Sequence, residues 1–230
     1  MANVRKILVA IYLIVTIAMA RQIKLKNNCQ FPVWPGWFGR NDIPNGGGIK
    51  LDPGQGYDLN VRDDWDSARM WARTGCDDSF NCETVGCGNE EKCNGRTGES
   101  GVTLAEFTLG RDIDHYDVSL VDGFNIQVII RPNDQGCPTM GECNGDVLGQ
   151  CPGDLKIEKN GKTVQCNSAC TKYNTDETCC RNGHNTLETC PPTDKTKFFK
   201  EHCPTSYAYA YDDKAALKTC KPTDYSVSFC

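Results

Sequence analysis

Sixteen cysteines constrain the fold of this chain more than any other feature of its sequence. They run from Cys29 to Cys230, and their number is even. An even count of cysteines in an exported protein is typical of a disulfide framework. The sequence alone leaves roughly two million ways to pair sixteen cysteines. We therefore expect eight disulfides, formed in an oxidising compartment.

The first twenty residues predict export. Arg5 and Lys6 precede an apolar run at residues 7–17, and Ala18-Met19-Ala20 has the small-x-small form of a cleavage site. The apolar run is shorter than the roughly 20 residues that a membrane-spanning helix needs. We therefore expect a signal peptide at residues 1–20, a secreted, extracellular protein, and no stable membrane anchor.

The charge balance and the histidines argue against several classes of partner. The chain has 30 acidic and 25 basic residues, a formal net charge of −5, and no cluster of lysine or arginine. Such a protein is a poor partner for nucleic acid or an anionic membrane surface. No C-x-x-C pair occurs, and His115, His184 and His202 lack the spacing of zinc ligands. We expect no nucleic acid, no metal, no cofactor, and a monomer.

Alternation of apolar and polar residues predicts strands at both ends and in the middle of the chain. A period of two residues is typical of strands with one buried face. The segments that show it are 21–27, 56–61, 116–121, 124–130, 206–211 and 225–230. Asp122-Gly123 predicts a tight turn between two of them. Residues 69–74 are apolar in both frames and predict a strand buried on both faces. This pattern indicates an all-β sandwich.

Cysteine-dense segments interrupt the strands. Residues 76–93 have the spacing C-x5-C-x4-C-x5-C with almost no apolar residue between, which favours two small loops closed by local pairs. In the second such segment, Asn160-Gly161 predicts a hairpin. Helices are expected at 168–174, capped by Ser168, and at 193–203, with Asp194 as a candidate cap. The prolines of segment 31–38 exclude a central strand there.

Three acidic residues in the central stretch are candidates for a site. Alternation places Asp117 on the face opposite Val118, Asp122 lies at the expected turn, and Glu106 belongs to a neighbouring strand. Carboxylates gathered on one sheet repel each other unless water, a cation or a ligand offsets their charge. The alternative is three unrelated, solvated acids, which is the usual state of acidic residues.

Segments along the whole mature chain resemble the thaumatin-like proteins. They are WARTGC at 71–76, LAEFTL at 104–109, YDVSLVDGFN at 116–125, CNSAC at 166–170, CC at 179–180, CPTSYAYAYDD at 203–213 and YSVSFC at 225–230. One signature departs from the family, because Cys82–Asn89 reads CETVGCGN and lacks an aspartate. The resemblance implies a mainly β fold: a flattened antiparallel β-sandwich of about eleven strands flanked by two disulfide-rich loop lobes.

The resemblance also implies how the chain is divided and cross-linked. The sandwich core would comprise residues 21–73, 106–144 and 204–230, the small disulfide lobe 74–105, and the larger lobe with short helices 145–203. The implied pairs are Cys29–Cys230, Cys76–Cys82, Cys87–Cys93, Cys137–Cys220, Cys143–Cys203, Cys151–Cys166, Cys170–Cys179 and Cys180–Cys190. The pairs that close the two longest loops should stabilise most, at about 4–5 kcal/mol each.

The resemblance further implies an acidic cleft between the sandwich and the larger lobe. Its pattern of one arginine, one glutamate and three aspartates falls on Arg69, Glu106, Asp117, Asp122 and Asp212. Asp213 is adjacent to the last of these, so the register can slip by one residue. Aromatic rings are candidate platforms for sugar faces, because they combine an apolar body with a polar handle. These rings are Trp34, Trp37, Trp65 and Tyr207, whereas Trp71 is expected in the core.

Three functions are compatible with this reading. The first is a secreted antifungal defence protein that binds β-1,3-glucan, or another polysaccharide of fungal walls, through the cleft. The second is a weak endo-β-1,3-glucanase, with Glu106 as acid and Asp122 as nucleophile or base, because glycoside hydrolysis needs two carboxyl groups. The third is a non-catalytic stress or interaction protein whose cleft binds a cationic partner.

Overall fold

Strands make up most of the regular structure in this computed structural model, which describes residues 20–98 and 100–230. The expected signal peptide lies outside these residues, except for Ala20, which is exposed and begins the first strand. The twelve strands found there are β1 (Ala20–Asn27), β2 (Val33–Phe38), β3 (Gly56–Arg62), β4 (Ala68–Thr74), β5 (Leu104–Thr108), β6 (Asp114–Ser119), β7 (Gly123–Phe124), β8 (Val128–Pro132), β9 (Lys156–Lys159), β10 (Lys162–Asn167), β11 (Lys218–Cys220) and β12 (Tyr225–Phe229).

The helices are short. They are α1 (Val147–Gln150), α2 (Ala169–Tyr173), α3 (Asp194–His202) and α4 (Asp213–Ala216), with 3-10 turns at Pro44–Gly46 and Asn182–His184. No helix within the described ranges has the length and apolar character needed to cross a bilayer.

Two sheets form the predicted sandwich. One has the strand order β3-β1-β12-β8 and the other β11-β6-β5-β4-β2. The pairing of β1 with β12 is parallel, whereas every other pairing in these two sheets is antiparallel. A third sheet has the order β7-β10-β9; β9 and β10 belong to the segment expected to form the larger lobe, whereas β7 belongs to the segment expected in the core. The mainly β sandwich is thus confirmed, with one parallel pair that alternation alone does not reveal.

The core lies between the two sheets and follows the alternation of the strands. Phe107 of β5 and Tyr116 of β6 are buried there, and both rings lie close to the ring of Tyr225 on the opposite sheet. The ring centroids are 5.3 and 5.4 Å from that of Tyr225. Because neighbouring residues point to opposite faces, Glu106 and Asp117 turn outward, toward the lobes.

β2 shows how a proline-containing segment joins a sheet. It is the edge strand of the five-stranded sheet and pairs with β4, with Pro35 opposite Ala72, while its outer side forms isolated bridges to Gly48 and Leu51. Proline lacks an N–H donor, so an edge position costs the sheet little. β4 itself is buried on both faces, as its sequence predicts.

Arg73 connects the small lobe to the sandwich. Its side chain is fully buried on β4 and donates to three carbonyl oxygens: that of Trp34 at 3.1 Å, of Glu90 at 2.8 Å and of Glu91 at 2.5 Å. Burial lowers the pKa of this guanidinium to about 10. The small lobe is therefore held to β2 by one charged side chain as well as by packing around Trp71.

The two predicted turns behave differently. Asn160-Gly161 joins β9 to β10, and both residues have positive φ, as this type of hairpin requires. The tight turn expected at Asp122-Gly123 does not connect neighbouring strands of one sheet, because β6 and β8 belong to different sheets. Gly123 has φ +141°, and a Cβ there would lie 2.6 Å from the carbonyl oxygen of Cys166. The chain crosses between layers at this glycine.

Two local predictions need correction. Segment 206–211 is not a strand; its only ladder contact is a parallel bridge between Tyr207 and Ser119. Helix α3 is capped by Thr193 rather than Asp194, since the Thr193 hydroxyl accepts from the backbone N–H of Thr196. Ser168 caps α2 as predicted, accepting from the N–H of Thr171 at 3.0 Å.

Eight disulfides cross-link the chain, and no free cysteine remains in its described part. The pairs coincide with those implied by the family resemblance, namely Cys29–Cys230, Cys76–Cys82, Cys87–Cys93, Cys137–Cys220, Cys143–Cys203, Cys151–Cys166, Cys170–Cys179 and Cys180–Cys190. Cys76–Cys82 and Cys87–Cys93 are the two local pairs of the segment expected to form the small lobe. Cys29–Cys230 joins two residues that are 201 positions apart. The division of the chain into a core and two lobes at the expected boundaries stays a prediction.

Candidate functional site

A row of three charged residues crosses the middle of the five-stranded sheet. Arg69 of β4 is the direct partner of Glu106 on β5, and Glu106 is the direct partner of Asp117 on β6. Directly opposed side chains on one face of a sheet lie about 5 Å apart at their Cβ atoms. The row is partly buried, on the face that points away from the sandwich core. Register therefore brings together three residues whose first and last members lie 48 positions apart in the sequence.

Asp122 joins this row from the segment that follows β6. Its backbone oxygen accepts from the N–H of Ser168 at 3.2 Å and from the hydroxyl of Thr171 at 2.7 Å. These two donors belong to the start of α2, so the cap of a helix in the larger lobe also fixes the segment that carries Asp122. The carboxylate is partly buried and borders the same cleft as the row.

Residues 203–213 form the opposite wall of the cleft. Tyr207 is held against β6, because its N–H donates to the oxygen of Val118 and its oxygen accepts from the N–H of Leu120, both at 2.8 Å. Its hydroxyl donates to Asp213 at 2.6 Å. Tyr207 and Asp213 both border the cleft.

Asp212 does not line the cleft, and its expected place is taken by Asp213. The Asp212 carboxylate turns toward Lys200 of α3, at 2.5 Å, and accepts from the N–H of Ala208 at 3.1 Å. Lys200 also donates to the carbonyl oxygens of Ser206 at 2.6 Å and Pro204 at 3.2 Å. Asp212 is thus part of an anchor that holds the wall in place.

The cleft enclosed by these elements has a volume of about 390 Å³. Such a volume falls in the range of small-ligand sites. Its lining combines the charged residues with small or apolar ones that the sequence pattern did not single out. These additional residues are Leu104, Ser119, Val121 and Ala210. Alternation along β5 and β6 places Leu104 on the face of Glu106 and Ser119 on the face of Asp117. The sequence pattern could therefore have predicted these two lining residues.

Burial raises the pKa values of all three central carboxyls. The pKa of Asp117 rises to about 8, mainly because of burial and to a smaller extent because of the charges of Glu106 and Asp213. The pKa of Glu106 is raised by burial and by Asp122, against the opposing effect of Arg69. The pKa of Asp122 is also raised by burial and partly offset by Arg69. Asp117 therefore holds a proton at neutral pH, while Arg69 favours the charged forms of the other two.

Two polar atoms of this row are buried without a hydrogen-bond partner in the described chain: Nε of Arg69 and Oδ1 of Asp117. Nearly all buried polar groups in folded proteins are paired, so these two atoms are exceptions. The hydroxyl oxygen of Ser206, in the wall at 203–213, is a further buried atom without a partner. The protein thus leaves polar atoms unsatisfied both in the row and in the facing wall.

Of the rings proposed as sugar platforms, only Tyr207 lines the cleft. Trp37 and Trp65 are fully buried, and their indole N–H groups donate to the carbonyl oxygens of Pro44 and Asp42. Trp34 is 8% exposed and borders a different pocket. Trp71 is buried, as expected. Tyr207 is accordingly the one ring from this set that remains a candidate platform.

The sequence of the chain matches a known protein family. A model of the thaumatin family matches residues 27–230. The chain is 43% identical to pathogenesis-related protein 5 of Arabidopsis thaliana, over the full length of both. It is 40% identical to a glucan endo-1,3-beta-glucosidase of Prunus avium, covering 93% of this chain and 91% of the relative.

Among solved structures, the fold is similar to that of a laminaripentaose-producing beta-1,3-glucanase in complex with laminaritetraose. The TM-score is 0.61 at 10% identity, and the match covers 91% of this chain and 98% of the other. This likeness concerns the fold alone. On the match to the family model and the identity with relatives over almost the whole chain, this protein belongs to the thaumatin family.

Proposed function

We propose that this protein is a secreted defence protein that binds β-1,3-glucan of fungal walls in the cleft between residues 69–122 and the wall at 203–213. The observation that carries the proposal is the row of Arg69, Glu106 and Asp117, whose side chains all line one open cleft of about 390 Å³.

The chemistry of the cleft suits a neutral polyhydroxylated ligand. Sugar hydroxyls both donate and accept, so they can pair with the guanidinium of Arg69 and with the carboxyl groups that line the cleft at the same time. A protonated Asp117 lowers the total negative charge of the site and adds a donor. The ring of Tyr207 offers an apolar edge with its hydroxyl already engaged by Asp213.

The relatives support a defence role and a glucan ligand. One is named pathogenesis-related protein 5 and another glucan endo-1,3-beta-glucosidase. Eight disulfides and these relatives are consistent with secretion, since disulfides persist in oxidising compartments. Growth inhibition of fungi would follow from wall binding and is part of the same proposal.

Retention on insoluble β-1,3-glucan tests the proposal. The wild-type protein should be retained, and single Glu106→Gln, Asp117→Asn and Asp122→Asn variants should each be retained less. Asp58→Asn is a matched control, because Asp58 is exposed on β3 of the other sheet. A correctly folded wild-type protein that passes through the glucan unretained would exclude this function.

Salt separates this ligand from the cationic partner of the alternative proposal. Screening at high ionic strength weakens attraction between charges and leaves contacts with a neutral sugar almost unchanged. Glucan retention should therefore persist in high salt. Retention that disappears with salt would indicate a charged partner instead.

A second candidate function, weak endo-β-1,3-glucanase activity, is favoured by the pKa of Glu106. Burial raises the pKa of Glu106, which is the direction that a general acid requires, and Asp122 is the candidate nucleophile or base. Asp122 also contributes to the rise at Glu106, which places the two charges close enough to interact. This function adds hydrolysis to the binding proposed above.

A further inference from the structure

A second pocket adjoins the acidic cleft. It has a volume of about 300 Å³, and its lining includes Thr108, His115 and Leu217. Thr108 and His115 are direct partners at the far end of the β5–β6 pair. We refer to it as the lower pocket and to the cleft of about 390 Å³ as the upper pocket.

The two pockets share the charged row. Arg69, Glu106 and Asp117 line both, whereas Leu104 and Ser119 line only the upper pocket. Leu104 and Ser119 are cross-strand partners, as are Thr108 and His115. The pockets therefore lie end to end along the direction of β5 and β6, with the charged row at their junction.

The length of this groove follows from the strand geometry. Leu104 and Thr108 are four residues apart on one face of β5, which corresponds to about 13 Å. Glu106 lies midway between them. A ligand centred on the row would therefore extend in both directions and contact both pockets.

We propose that the lower pocket is a second subsite for the same polysaccharide chain, so that the groove binds an internal stretch of the chain rather than one end. This inference rests on the proposed glucan function. The lower pocket has the mixed character that a sugar ring requires: Leu217, which is 37% exposed, gives an apolar surface, while Thr108 and His115 give polar contacts. The assignment makes His115 and Leu217 determinants of the preferred ligand length.

Oligosaccharide titration tests the subsite. By isothermal titration calorimetry, the wild-type protein should bind laminarihexaose at least about tenfold more tightly than laminaribiose, because only the longer ligand fills both pockets. His115→Ala and Leu217→Ser should each lower the affinity for laminarihexaose by about tenfold, the effect of losing one good contact. Leu187→Ser is the control, since Leu187 is 55% exposed and lies in a disulfide loop away from the groove.

The outcomes are distinguishable. If both lower-pocket variants bind laminarihexaose as the wild type does while Asp122→Asn binds it less tightly, the subsite is wrong and glucan binding stands. If the wild-type protein binds neither oligosaccharide, the subsite and the proposed function both fall. Near-UV circular dichroism checks that each variant is folded. Amide exchange of the wild type adds a test free of substitutions, because laminarihexaose should protect both ends of the β5–β6 pair.

Discussion

Glu106 lies directly opposite Asp117 across the β5–β6 pair, so two partly buried carboxyl groups face each other on one side of the sheet. Like charges in this position destabilise a sheet. The molecule reduces the repulsion by holding a proton on Asp117, whose pKa rises to about 8. Binding chemistry and fold stability therefore depend on the same pair of residues.

The stability advantage of Asp117→Asn over the wild type should grow as the pH rises from about 4 to about 8, by about 1.4 kcal/mol per pH unit and roughly 5–6 kcal/mol in all. The unfolded carboxyl titrates near pH 4 and the folded one near pH 8, so between these values the folded state binds more protons. Wild-type stability should thus fall over this range, and the amide removes that fall. Denaturant unfolding at several pH values measures the difference. Parallel pH profiles for the two proteins would contradict the raised pKa.

If the protein hydrolyses glucan, Glu106→Gln and Asp122→Asn should each lower the release of reducing ends from laminarin at least about tenfold. Each substitution removes one of the two carboxyl groups that the reaction needs, without changing side-chain size. Asp58→Asn again serves as the control, on the other sheet. Activity that is unchanged in both variants would have to come from another site or a contaminant.

Lys200→Met should weaken glucan binding several-fold although Lys200 does not line the cleft. Its ammonium anchors the wall through Pro204, Ser206 and Asp212, so its loss should let the segment with Tyr207 and Asp213 move. Lys200→Arg, which keeps the charge, should restore part of the affinity.

Lys197→Met is the matched control for this wall anchor. Lys197 lies on the same helix and pairs only with the exposed Asp194. Retention on insoluble glucan compares the three variants. Equal retention of Lys200→Met and Lys197→Met would show that the wall needs no anchor.

Arg73→Met should destabilise the fold by about 3 kcal/mol, because it removes a fully buried side chain that donates to the carbonyl oxygens of Trp34, Glu90 and Glu91. Denaturant unfolding measures the loss. Arg62→Met, at an exposed arginine paired with Asp64, should leave the unfolding free energy unchanged within error. Two arginine variants of equal stability would mean that packing alone holds the small lobe.

Local sequence patterns predict the elements of this fold better than their arrangement. Alternation identifies β1, β3 and β12, and the Asn160-Gly161 pair identifies the hairpin of β9 and β10. Alternation cannot tell which sheet a strand joins, because it reports only which face is buried. For that reason the sequence predicts a turn at Asp122-Gly123 but does not show that the chain crosses there from one sheet to another.

Local sequence patterns also fail to predict how the residues of the site are arranged. The register of β4, β5 and β6 brings Arg69, Glu106 and Asp117 together, and no local pattern encodes that register. The exchange of Asp212 for Asp213 depends on Lys200, which binds one of two adjacent acids and leaves the other free to face the cleft. Family resemblance gave the residue types, whereas contacts between distant segments decide which of two neighbours is used.

The position of β12 has a consequence for how the protein is made. It occupies an inner place in its sheet, between β1 and β8, and Cys230 just beyond it is bonded to Cys29. A nascent chain emerging from a ribosome holds the first strand long before its neighbour exists. The four-stranded sheet therefore cannot reach its final strand order until β12 has been synthesised, because β12 separates β1 from β8.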